Sequence, residues 1–327
     1  KRRIGKLTGI PAMKKTWRIV LPALLVGSFI SFADTKDKRE INDKAVTEEI
    51  CPCEMEGMDL EEAYNRSMAN AGVSQQVSKE TPKYLNPNIP IEERIDDLLP
   101  RLTLEEKVIQ LSDSWGSKGI ARLKIPAMLK TEGLHGQSYA TGSTIFPHGI
   151  NMGSTFDTEL IQEVGKATAI EAKAANLRVS WSPVLDVARD ARWGRVEETY
   201  GEDPYLVGRI GVAWIKGFQG EHMFACPKHF AGHGQPVGGR DSHDYGLSDR
   251  VMRNIHLAPF RDVIKEANAF GVMAAYGLWN GVPDNGSKEL LQKILREEWG
   301  FEGFVVSDCS GPENIQRKQS VVGTMEI

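Results

Sequence analysis

Six polar residues of types able to work on one substrate each follow a short apolar run in this chain. Glu132 comes after 127–129, Arg195 after 179–187, Lys228 and His229 after 223–226, Tyr276 after 272–275, and Asp308 after 304–306. Together they offer carboxylate, guanidinium, ammonium, imidazole and phenol groups, which supply donors and acceptors at several fixed angles. That mixture suits a ligand with many hydroxyls, and a sugar is such a ligand. Asp308 follows Phe304, Val305, Val306 and Ser307, with Gly303 in front. A short unbroken apolar run bounded by Gly reads as a strand buried on both faces, and a carboxylate at its end has left the core. Singly, each residue has an ordinary reading: Asp308 as a turn residue, a lone Lys or His as a salt bridge or a satisfied core group. Several strands ending this way argue for a shared site. Trp193 and Trp279 could lie against the C–H face of a sugar, or simply pack in the core.

The elements that would position these residues alternate between strand-like and helical patterns. Asp157 can cap a helix over 158–175, and Asp203 before Pro204 can open one over 205–219. Ser248 can cap a helix to 269 with a kink at Pro259, and Ser287 can cap one over 288–299. Near the start, Ile91, Ile95, Leu98 and Leu99 keep helical spacing up to Pro100. Thr103-Leu104-Glu105-Glu106 then reads as a capping box opening a helix through Leu111. No GxGxxG follows the first strand, and no Walker A or HExxH sequence occurs. Strand–helix alternation of this kind predicts an α/β fold, a TIM-like (β/α) barrel with its chemistry at the C-terminal ends of the strands. Only residues 308–327 follow the last strand, so the barrel is expected to be incomplete at the C-terminus.

The chain has 327 residues, enough for a large core and one or two domains. Its net charge of −4 gives no basic surplus pointing to nucleic acid. Residue 1 is Lys, and Met13 reads as the start of translation. The basic stretch 13–18, the uncharged apolar run 19–33 and the small residues Ser31 and Ala33 read as a signal peptide cleaved after Ala33. The run is short for a membrane span, which needs about 20 residues; an uncleaved anchor is the alternative. The protein is therefore expected to be exported, periplasmic or secreted, with no stable membrane span after cleavage. The expected organisation is upstream residues and signal peptide over 1–33, a polar extension over 34–90 with some helix near 60–68, and the barrel domain over 91–327. Four cysteines without CxxC spacing give no zinc signature, and Cys51 and Cys53 are too close for an unstrained bridge. No metal is expected.

Several segments taken together carry a resemblance. They are 101–107 (Arg-Leu-Thr-Leu-Glu-Glu-Lys), 132–136, 144–147 (Thr-Ile-Phe-Pro), 182–186, 192–204, 228–234 and 299–308. From about residue 91 to 315 the chain resembles the N-terminal domain of glycoside hydrolase family 3. The resemblance implies a TIM-like barrel and retaining hydrolysis of terminal non-reducing β-linked sugars, glucose or xylose, in carbohydrate catabolism. It implies no cofactor, and an oligosaccharide or aryl glycoside as the partner. By the same resemblance Asp308 is the nucleophile, and Arg195, Lys228, His229 and Tyr276 grip the terminal sugar. Glu132 stands where many family β-glucosidases have Asp, and Cys309 where they have Trp, a pairing that leans toward xylosidase-like members. Arg240 resembles a further sugar-contacting position.

Retention needs a second group, to protonate the leaving oxygen and then activate water. In most of the family this is a Glu from a following α/β sandwich domain, which is expected in the full-length protein and missing from this chain. A branch of the family, the β-N-acetylglucosaminidases, uses an Asp-His pair in a loop after Lys-His. Asp241-Ser242-His243 resembles that loop at a slightly longer spacing, which makes His243 the alternative acid/base and Asp241 its partner. A reading from another class is a sugar-binding fragment that keeps the grip residues without turnover.

Overall fold

The computed structural model describes residues 81–112, 116–138 and 141–317. The expected signal peptide and the helix near 60–68 lie outside the described residues. Capping chemistry sets the helix starts, because the first backbone N–H groups of a helix have no partner within it. Thr103 N donates to Glu106 Oε2 at 2.8 Å and Glu106 N donates to Thr103 Oγ1 at 3.2 Å, opening the helix Leu104–Ser112. Asp157 accepts from Leu160 N at the head of Thr158–Ala174, and Asp203 accepts from Leu206 N at the head of Pro204–Gly220. Ser287 accepts from Leu290 N at the start of Glu289–Glu298, which has wide π-helical turns.

The stretch after Ser248 departs from the expected single kinked helix. It runs as Asp249–Val251, a π-helical turn Met252–His256, and a separate helix Ala258–Ala267. Pro259 sits in the first turn of that last helix, where its missing N–H costs nothing. It starts a helix instead of bending one.

The described residues form eight short strands, in chain order β1 Gly116–Ser117, β2 Met128–Thr131, β3 Val179–Ser180, β4 Phe224–Ala225, β5 Gly271–Ala274, β6 Leu278–Trp279, β7 Val282–Pro283 and β8 Phe304–Ser307. β2, β3 and β4 pair in parallel, as do β5 and β8, while β1–β2 and β6–β7 are antiparallel. Parallel bridges Val184–Lys228 and Phe230–Ala274 link the segments beyond β3, β4 and β5. The parallel row is thus β2-β3-β4-β5-β8. Among the described residues no ladder joins β8 back to β2. The TIM-like barrel expected from the sequence is therefore found only as an α/β fold with mixed sheets and no closed barrel. Five parallel strands are too few to complete the ring that eight would form.

Alternation along each strand separates two cores. Val272 and Ala274 face the helices, joining Leu185, Ile210, Ile215, Phe218 and Val263. Met273 faces the other way, with Val179, Trp181 and Cys226, against Met128, Phe224, Phe304 and Val306. The first and last parallel strands both reach this inner cluster, so the row curls without closing. Its strand ends converge on one mouth. Tyr84 packs with Ile120 and Leu123 and donates its hydroxyl to Leu123 O at 2.8 Å, so the residues just before 91 are anchored to the fold. No helix of the described residues is long and apolar enough to cross a membrane.

Candidate active site

Asp308 follows directly on β8 with 9% of its surface exposed. Its backbone N donates to Ala274 O at 3.2 Å, and its carbonyl accepts from Gly311 N at 2.8 Å, which fixes the turn. Oδ1 accepts from Cys309 N at 2.7 Å. Oδ2 is buried without a hydrogen-bond partner and lies 3.5 Å from His229 Nε2. Tyr276, just beyond β5, hydrogen-bonds the Asp308 side chain; burial first, and then the nearby carboxylate, push its phenol above the usual range.

His229 is fully buried, and its tautomer follows from its neighbours. A guanidinium has donors only, so Arg195 Nη2, 3.0 Å away, donates to Nε2. The ring proton is then on Nδ1, which donates to Asp186 Oδ2 at 2.7 Å. The His229 backbone N donates to the same oxygen at 3.2 Å. Burial, and then the charges on His233, Arg195 and Lys228, hold the imidazole well below its ordinary value. His229 is neutral and locked in orientation. Asp186, at the far side of the ring, is pushed up to about 6 by burial, against the pull of His233 and Arg195.

Arg195 is gripped by Glu198 through two parallel bonds, at 2.7 and 2.8 Å. Burial works against its charge, and the Glu198 carboxylate more than offsets that. Its Nη1 lies 3.1 Å from Nε2 of the fully buried His233. The same nitrogen of His233 lies 2.9 Å from Asp241 Oδ1, which also accepts from Trp193 Nε1 at 3.0 Å. Burial raises Asp241, but the bonds from His233 and Trp193 and the charge of Arg195 hold it far below the usual carboxylate range. On the other flank, Lys228 Nζ donates to Glu132 Oε2 at 2.9 Å, and Lys130 Nζ lies 3.7 Å from Oε1. Burial raises Glu132, while Lys228 and Lys130 bring it below its ordinary value. The Lys130 ammonium also sits 5.2 Å from the centre of the Trp181 ring.

Six of the residues read from the sequence thus meet at the strand ends: Asp308, Glu132, Arg195, Lys228, His229 and Tyr276. Asp241 joins them through His233. Arg240 and His243 are exposed, and neither side chain makes a hydrogen bond or ion pair within the described residues. The partner of Asp241 is His233, not His243. The two tryptophans also differ from the sugar-stacking reading. Trp193 is 2% exposed, edge-on to His233, and Trp279 is 5% exposed and donates to Leu247 O at 3.1 Å. Both are packing residues. Asp186, Glu198, His233 and Lys130 were not singled out from the sequence as site residues. The signal for three of them was their place in the resembling segments: Asp186 in 182–186, Glu198 in 192–204 and His233 in 228–234. Among the described residues no group of His, Cys, Asp and Glu is placed to hold a metal ion.

An α/β fold with parallel strands, and a polar site at their C-terminal ends, defines the class. Residues 103–325 match the N-terminal domain of glycosyl hydrolase family 3, and the chain belongs to that family. It is 40% identical over 236 residues to a beta-xylosidase of Formosa agariphila, covering 68% of this chain and 32% of that protein. It is 33% identical over 233 residues to a periplasmic beta-glucosidase of Salmonella typhimurium, covering 68% of this chain and 29% of that protein. The solved beta-glucosidase of Kluyveromyces marxianus superposes with a TM-score of 0.62 at 38% identity, covering 66% of this chain and 27% of that one. The chain spans about a third of the length of curated relatives it matches. These relatives do not favour the β-N-acetylglucosaminidase-like alternative.

Proposed function

We propose that this chain carries the nucleophile and the sugar-gripping residues of a retaining exo-β-glycosidase acting on terminal non-reducing glucose or xylose. The observation that carries the reading is the Asp308 carboxyl group. One oxygen is pinned by a backbone N–H and the other is buried without a hydrogen-bond partner, beside a neutral imidazole. In this reading Oδ2 attacks the anomeric carbon as the bond to the leaving oxygen breaks, giving a glycosyl ester on Asp308. Water then attacks the anomeric carbon, losing a proton to the acid/base, and Asp308 leaves as the free carboxylate. Lys228, Glu132, His229 and Arg195 are held by one another before any sugar arrives, so little reorganisation is needed as charge develops.

The proton for the leaving oxygen comes from a carboxyl group outside the described residues, in keeping with the Glu of a following α/β sandwich domain in most of the family. The carboxylates lining the site are engaged: Glu132 by Lys228, Glu198 by Arg195, Asp186 by His229, and Asp241 by His233 and Trp193. Export is part of the proposal, resting on the leader-like pattern of residues 13–33 and on the periplasmic Salmonella relative. An activated 2-deoxy-2-fluoro-glycoside tests the reading in the complete polypeptide. Peptide mass mapping is expected to find the sugar ester on Asp308. An ester on Glu132, or none at all, overturns it.

A further inference from the structure

Behind the site lies a buried acid that the reaction does not use. Asp284 is fully buried, and its Oδ2 accepts from the Tyr245 hydroxyl at 2.6 Å. Its Oδ1 is buried with no hydrogen-bond partner. Burial first, then the charges of Asp244 and Asp186, raise the carboxyl well above its ordinary range, against the Tyr245 bond. A neutral carboxylic acid accepting a phenol bond fits these surroundings better than a carboxylate, which would be desolvated without a cation.

Tyr245 and Asp284 are 39 residues apart, and the pair ties together the loops that carry the site. Tyr245 N donates to Leu278 O at 3.0 Å, and Asp284 N donates to Gly277 O at 3.0 Å. Asn285 Nδ2 donates to Ala275 O at 2.8 Å. The carbonyls on both sides of Tyr276 are therefore held from the Asp284 segment, and that of Leu278, two residues on, from Tyr245. The Tyr245 ring is wedged between two glycines. A Cβ on Gly277 would collide with its hydroxyl, and one on Gly232 would lie 2.7 Å from its Cδ2. Gly232 has φ +103° and precedes His233; Gly277 follows Tyr276. Any larger side chain at either place would push the loops apart.

We infer that the Tyr245–Asp284 pair is a positioning clamp that sets the Tyr276 hydroxyl against Asp308 and the 229–233 loop against Arg195. The inference rests on the reading of Asp308 as nucleophile. Both residues are buried and bonded to each other, so the clamp is read as acting through Tyr276 on the rate of bond-making and not on ground-state binding.

The test is inactivation of the complete polypeptide by a 2-deoxy-2-fluoro-glycoside with a dinitrophenolate leaving group, which needs no acid catalyst. The maximal inactivation rate constant is first order, so it is unaffected by the fraction of protein that is folded. Tyr245→Phe keeps the ring and removes the hydroxyl. It is expected to lower the rate constant about ten-fold, with the inhibitor's half-saturation concentration unchanged. Asp284→Asn keeps an acceptor of the same shape and is expected to stay within about two-fold of wild type, whereas Asp284→Ala falls with Tyr245→Phe. A wild-type rate constant in Tyr245→Phe overturns the clamp, and so does a loss seen only in half-saturation. If wild-type protein is not labelled on Asp308, the nucleophile assignment itself is wrong and the clamp falls with it.

Discussion

The segment 228–234 and the segment 240–243 follow one another in the chain and lie near the same site, yet they are built differently. In the first, Lys228, His229 and His233 are buried and each polar head has a fixed partner: Glu132, Asp186 with Arg195, and Asp241. In the second, Arg240 and His243 are exposed, and only Asp241 is tied down. The difference separates what the fold prepares in advance from what it leaves to solvent. Burying polar groups is costly unless they are paired, so the partners that hold the first segment also make it rigid. Exposed side chains carry no such requirement and add little to preorganisation.

Breaking the prepared side gives the largest effect. Lys228→Ala leaves Glu132 with Lys130 as its remaining partner, at 3.7 Å. Loss of a buried charged partner that also faces the sugar is expected to cost about 2–4 kcal/mol of transition-state binding, or about 30- to 1000-fold in kcat/KM. Steady-state rates on an aryl glycoside measure it in the complete polypeptide. An unchanged kcat/KM would mean that the Lys228–Glu132 pair is structural only.

A smaller effect sharpens the same side through pH. Asp186 has a folded-state value near 6 against an ordinary 3.8. A raised acid binds its proton more tightly in the folded state. The stability this contributes is present in full below about 3.8 and is lost as pH rises through about 6. Asp186→Asn is neutral at every pH and keeps an oxygen to accept the His229 Nδ1 proton. Relative to wild type, the variant should therefore gain stability between pH 4 and 7.5, by on the order of 1–3 kcal/mol. Urea unfolding at the two pH values reads the difference, and other titrating groups cancel because both proteins share them. A difference that does not change with pH would show that Asp186 is ionised throughout.

Much of this arrangement could be read from the sequence because it rests on local rules. Asp157, Asp203, Ser287 and the Thr103–Glu106 pair cap the helices they were expected to cap. Residues at the ends of apolar runs, Asp308 and Lys228 among them, converge because parallel strands point the same way. What escaped depends on contacts that the strand and helix patterns do not show, whether distant, as for Asp186, or within a turn, as for Glu198 beside Arg195. Asp186 and Glu198 look like an ordinary strand acid and turn acid until His229 and Arg195 close on them, the first from 43 residues away. His243 drew attention because it is next but one to Asp241, but burial gave Asp241 to His233 instead. The run 179–187 read as one strand, yet its hydrogen-bonded ladder spans only Val179–Ser180. Pro183 has no N–H to offer, and the pairing resumes only as the single bridge at Val184.

The smallest effect tests the exposed side. His243 makes no hydrogen bond or ion pair among the described residues, and Asp241, two positions earlier, is already held by His233 and Trp193. Exposed substitutions away from such contacts shift free energies by about 0.5 kcal/mol or less. His243→Ala is therefore expected to change kcat/KM by less than about two-fold, on a disaccharide and on an aryl glycoside alike. Asp241→Ala differs, because it strips the Trp193 indole and the buried His233 of a shared acceptor. Leaving such donors unpaired costs about 1–3 kcal/mol, and the effect should fall on both substrates equally, since it acts through Arg195 and not on the leaving group. The two substrates separate these roles, because a sugar leaving group needs a proton and a phenolate needs far less. A large loss on the disaccharide alone after His243→Ala would return the proton donor to this loop. Equal and small changes are what the proposed donor, outside the described residues, requires.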